Sequence, residues 1–102
     1  MQNLTLIVHA DVEKALADAL RGQNSVQGFT FTHVEGPGTQ GSKDASLSAR
    51  DLVVGYTPRV RVDIILEDKD VDAVLESLAR SGAGVAGRCV DWVTEVNRHG
   101  RL

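Results

Sequence analysis

The chain has 102 residues, 42% hydrophobic and 25% charged, with a single cysteine and a formal net charge of −3. That length suits one domain, residues 1–102, able to bury roughly 60–65% of its unfolded surface without a metal, and Cys89 has no second cysteine for an internal disulfide. Lys and Arg are dispersed, no apolar run nears the roughly 20 residues of a membrane span, and no basic leader opens the chain, so the expectation is a cytoplasmic protein without nucleic-acid binding or membrane insertion.

Leu4, Leu6 and Val8 alternate with Thr5, Ile7 and His9, a period of two that predicts a strand with one face on a core. Asp11 then offers an N-cap to a helix in which Val12, Leu16, Ala19 and Leu20 recur at helical spacing, with Gly22 as its stop. GFTFTHVEG, from Gly28, and RVRVDIIL, with Val60, Val62, Ile64 and Leu66 on one face, predict two further strands. Between them GPGTQGSKDASLSARD holds almost nothing apolar, too little to offset the entropy of ordering it, and predicts a flexible loop over about 36–57. Tyr56, at its far end, reads as a packing residue of the strand that follows. Asp68 or Asp70 can cap a second helix whose stripe is Val71, Val74, Leu75 and Leu78, SGAGVAG should end it, and CVDWVTEV predicts a last strand.

The order βαββαβ is the ferredoxin-like plan, an α+β fold with a four-stranded antiparallel sheet and two helices on one face. The other face then carries Ile7, Ile65 and Val34 among Thr5, His9, Arg61 and Asp63. A half-apolar face of that kind predicts burial against another subunit, the alternative being a solvated polar face.

Chemistry is thin along the chain. SGAGVAGR places Gly82, Gly84, Gly87 and Arg88 between a helix and a strand, where backbone N–H groups free of side chains can converge on phosphate oxygens beside a fixed charge. It lacks the closing Gly-Lys-Ser/Thr of a P-loop, so spacing alone equally allows a plain helix-to-strand turn. His9, His33, His99, Cys89 and Asp91 include ligands for a divalent or copper ion, yet no two have the spacing of a built site. His9 and His33 are the candidates, each able to supply three imidazoles if repeated about a three-fold axis. Cys89 reads as a small packing residue, and no catalytic constellation is legible, so an enzyme is not expected.

GFTFTHVEGPGTQG, DLVVGYTPRVRVDIIL and SGAGVAGR resemble, in that order and at similar intervals, the signature stretches of the PII signalling superfamily, which includes the nitrogen regulatory proteins. The short chain and closing WVTEVNRHGRL are most similar to a PII-like group associated with heavy-metal efflux pumps. The resemblance implies a homotrimer whose sheets pack around the axis, with nucleotide clefts between subunits and a long T-loop that touches a partner. It carries nucleotide-binding roles onto Gly28, Thr30, Gln40, Gly82, Gly84, Gly87, Arg88 and Arg98, and partner contact onto Lys43, Asp44, Leu47 and Arg50. The family's lysines fall at Ala83 and Arg59 and its arginine ahead of the glutamine at Thr39, which thins positive charge and favours ADP or AMP over ATP. The tyrosine modified in nitrogen-regulating members falls at Leu52, so uridylylation there is ruled out. The implied function is an adenine-nucleotide sensor that controls a partner protein, such as a membrane transporter or efflux pump. The alternative is a metal-binding module that assists heavy-metal efflux.

Overall fold

The computed structural model describes residues 1–37 and 56–102. Strand β1 (Gln2–His9) leads through a 3-10 turn to helix α1 (Glu13–Arg21), followed by β2 (Thr30–Pro37), β3 (Tyr56–Leu66), a second 3-10 turn, α2 (Val71–Arg80) and β4 (Val90–Glu95). All four strands form one antiparallel sheet in the order β2-β3-β1-β4. This is the expected α+β ferredoxin-like arrangement.

Alternation decides which residues are covered. Leu4, Leu6 and Val8 of β1 and Val60, Val62, Ile64 and Leu66 of β3 are at most 1% exposed, packed with Leu16 and Leu20 of α1 and Val74 and Leu78 of α2. Each such side chain contributes roughly 1.5–3 kcal/mol by leaving water. Leu75 is only partly buried at the margin of this cluster. The opposite face carries Ile7, Val34 and Ile65, half-buried in one chain, with Thr5, Arg61 and Asp63 between them.

Several expected boundaries shift, each for a local reason. Asp11 does not cap α1: a 3-10 turn, Ala10–Val12, comes first, and the His9 Nδ1 accepts the Asp11 N–H at 3.1 Å. Asp70 precedes α2 but makes no side-chain cap bond, while the Asp68 carboxylate pairs with the Met1 ammonium at 2.9 Å. That hydrogen bond raises the ammonium pKa above its ordinary value. Gly22 does follow α1, in a right-handed conformation (φ −77°) open to any residue.

β2 begins at Thr30 rather than Gly28, and at the loop side both strands run further than GFTFTHVEG and RVRVDIIL suggested. Gly36 pairs with Thr57 and Pro37 with Tyr56, so the ends of the expected 36–57 loop belong to the β2–β3 ladder. Arg59 lies close over Gly36, its Nε 3.6 Å from where a Cβ would stand. Tyr56 begins β3 and is 55% exposed, so within one chain it does not pack as expected.

Candidate functional site

A cleft of about 650 Å³ opens where β2 begins and β3 ends, lined in part by Ser25, Gly28, Thr30, Asp63, His99 and Arg101. Gly28 and Thr30, both expected in a nucleotide site, are brought together here. Beyond β4, His99 and Arg101 line the cleft, while Arg98, also expected in a nucleotide site, is exposed and does not line it. A backbone bond from the Val96 N–H to the Met1 carbonyl, 3.1 Å, holds the chain beyond β4 on this side.

Asp63 is the cleft residue that sequence reading left without a role. Its Oδ1 accepts from Thr5 Oγ1 at 2.8 Å, from Asn3 Nδ2 at 3.2 Å and from Arg61 at 3.2 Å, and its Oδ2 accepts from Arg61 Nε at 3.1 Å. Burial alone would push this carboxyl up, but the bonds from Arg61, Thr5 and Asn3 together outweigh it and hold the pKa below its ordinary value. Period-two alternation places Asp63 and Arg61 on one face; the row they share with Thr5 becomes visible only once strand register is known.

The glycine turn is built differently. Ser81 ends α2, its hydroxyl donating to the Leu78 carbonyl at 2.7 Å and accepting the Ala83 N–H at 3.2 Å. Gly82, Gly84 and Gly87 follow with φ of +73°, +86° and +74°, conformations that L side chains rarely adopt. Between them Ala83 and Val85 point inward, 8% and 7% exposed, and pin the turn to the core. Nothing lies within 4 Å of an added Cβ at Gly82 or Gly87, and Arg88 is exposed, so the outer surface of the turn is open to a close-approaching ligand. Ala83, where the resemblance would set a lysine, is a core anchor instead.

The two candidate regions do not meet within one chain. The cleft lies at the end of the sheet where Thr30 pairs with Asp63 and Leu66 with Gln2. The glycine turn feeds β4 at Val90, which pairs with Ile7 at the other end, where His9 faces Arg59 and Pro37 faces Tyr56. They also approach opposite edges, β2 for the cleft and β4 for the turn. Gln40, Lys43, Asp44, Leu47 and Arg50 lie outside the described residues, as do Thr39 and Leu52.

The metal candidates are likewise apart. His33 pairs in register with core-facing Val60, and its Nε2 stands 2.6 Å from Glu13 Oε1 of α1. His9 pairs with Arg59 on the open face and is engaged with Asp11. Among the described residues no three His, Cys, Asp or Glu side chains gather as a metal would require. Burial and the charge of Asp91 push the Cys89 thiol up to about 11.

Across residues 1–102 the sequence matches the family described as "Protein of unknown function (DUF3240)". It is 28% identical over 81 residues to "Nitrogen regulatory protein P-II 2" of Methanothermobacter thermautotrophicus, covering 79% of this chain and 70% of that protein. It is 29% identical over 86 residues to "Nitrogen regulatory protein P-II" of Rhizobium leguminosarum bv. viciae, covering 82% and 76%. The crystal structure of a DUF3240 family protein from Shewanella baltica OS155 superposes with a TM-score of 0.74 over 99% of this chain and 94% of that one, at 22% identity, a likeness of fold. No described helix is long and apolar enough to cross a membrane.

Proposed function

The chain belongs to the DUF3240 family, and from its homology to the P-II regulators we infer a PII-like signalling protein that assembles as a homotrimer and binds an adenine nucleotide, ADP or AMP, between subunits. One observation carries this reading: the two ligand-ready regions sit at opposite ends and opposite edges of the sheet. Neither is complete alone, and a second copy is what can set one against the other. The cleft with Gly28, Thr30 and Arg101 would hold the base and sugar, and the neighbour's Gly82–Arg88 turn would hold the phosphates through backbone N–H groups and the guanidinium.

The scarcity of cations supports a short phosphate chain. Arg88 and Arg59 remain at the turn end of the sheet, but Ala83 is inside the core, and a triphosphate loses more than a mono- or diphosphate when a close positive charge is missing. Ligand binding in this reading biases the segment between Pro37 and Tyr56, with Gln40 toward the ligand and Lys43, Asp44, Leu47 and Arg50 toward a partner protein such as a membrane transporter.

Calorimetry against ADP, AMP, ATP, zinc and copper tests the assignment. The expected outcome is heat with ADP or AMP, reduced at least tenfold in affinity by Arg88→Ala. Flat nucleotide titrations, or affinity unmoved by Arg88→Ala, refute it, and heat from zinc or copper alone would favour the metal-linked alternative.

A further inference from the structure

We propose that Asp63 is a positioning residue that links the cleft at the start of β2 to Trp92 on the far edge of the sheet. The proposal deepens the effector reading and rests on it for what enters the cleft, while the link itself stands on geometry. Thr30, Asp63, Thr5 and Trp92 pair in succession across β2, β3, β1 and β4, one straight row over the open face. Thr30 and Asp63 line the cleft, Thr5 is fully buried in the middle, and Trp92, 39% exposed, ends the row. A second path runs beside the first: Arg61, held by both Asp63 oxygens, carries its guanidinium 5.8 Å from the centre of the Trp92 ring.

Asp63 is the branch point because its acceptor capacity is nearly used. A carboxylate offers about four lone-pair sites: Thr5, Asn3 and Arg61 crowd Oδ1, and Oδ2 accepts from Arg61, so Arg61 is the one partner at the less crowded oxygen. A molecule in the cleft that presents an N–H or O–H donor to Asp63 therefore competes with Arg61 for the same oxygens. The released guanidinium keeps a second attraction, the face of the Trp92 indole, so its equilibrium position moves toward the ring. Around the cleft the other charged or titratable side chains are Glu67, His99 and Arg101, none of which is on this row.

Trp92 is the only tryptophan, so its emission reads the far end of the row without a label. Asp63→Asn keeps the shape and an acceptor oxygen for Thr5 while discarding the ionic hold on Arg61. The expected result is a shift in Trp92 emission and acrylamide quenching for Asp63→Asn that vanishes once Arg61→Met is in place, the double variant matching Arg61→Met alone. An emission unmoved by Asp63→Asn, or shifts that simply add, overturns the link. Circular dichroism establishes that each variant is folded, and should Asp63→Asn fail to fold, Asn3→Leu, which strips one donor from the carboxylate, carries the same test.

Titration with ADP separates this link from the effector reading. Heat with an emission shift that Asp63→Asn abolishes supports both. Heat without any emission shift in the wild-type protein overturns the link and leaves the nucleotide reading standing. No heat removes the nucleotide reading, and the substitutions alone then decide the link.

Discussion

Cys89 and Asp63 show how placement sets the chemistry of single side chains. The Cys89 thiol, raised to about 11 by burial and then by Asp91, stays protonated at neutral pH. Against an unfolded value near 8.5, that leaves roughly two orders of magnitude less thiolate at pH 8, so iodoacetamide should alkylate the native chain about 100-fold more slowly than the urea-unfolded one. Because the folded pKa is the higher one, the associated stability is whole below about pH 8.5 and declines as pH rises toward 11. Asp63 has the opposite sign. Its folded pKa is depressed, so its contribution is present above about pH 4 and is lost as pH falls through the folded value, and Asp63→Asn should flatten the acid limb of a stability profile measured by urea unfolding. The packing of Cys89, partly buried against the core, followed from the general habit of free cysteine as a small hydrophobe. The bonds around Asp63 were not, because alternation assigns a face and says nothing about which residue of the next strand stands opposite.

At the level of elements, the apolar stripes Leu16–Leu20 and Val71–Val74–Leu78 were readable because helical spacing and burial are the same fact seen twice. Caps were less readable: His9 took the bond assigned to Asp11, and the Met1 ammonium took the carboxylate of Asp68. Short polar side chains have several backbone and charged groups within reach, and pattern alone does not rank them. The glycine turn was visible as composition, while its alternation of left-handed glycines with buried Ala83 and Val85 required the fold. That alternation makes a quantitative expectation. Gly82→Ala and Gly87→Ala should each cost about 1 kcal/mol in urea unfolding from backbone strain alone, since open space surrounds both sites. Leu20→Ala, wholly buried in α1, should cost about 2–5 kcal/mol. Equal losses at all three positions would mean that Gly82 and Gly87 serve packing rather than conformation.

Across the whole molecule, the four-stranded antiparallel sheet with its half-apolar open face followed from the sequence, whereas the strand order and the separation of the two candidate regions did not. Gly28 and Gly82 look alike in a one-dimensional text; antiparallel topology alone sends one to each end of the sheet. Every residue of β4 is exposed, with Val90 at 57%, Trp92 at 39% and Val93 at 43%, an apolar edge that a lone chain leaves in water. Light scattering is therefore expected to give three times the 10.9 kDa chain mass at micromolar concentration, falling toward one chain for Val90→Asp combined with Trp92→Asp. A monomeric wild-type mass would remove the shared cleft. The proposed trimer also sets up a genetic signature, since in it each chain would be donor to one neighbour and recipient from another. Subunits crippled at Arg88 and subunits crippled at Arg101 should each fail when purified separately, yet co-refolded mixtures should complement, restoring some clefts in which both arginines come from undamaged halves.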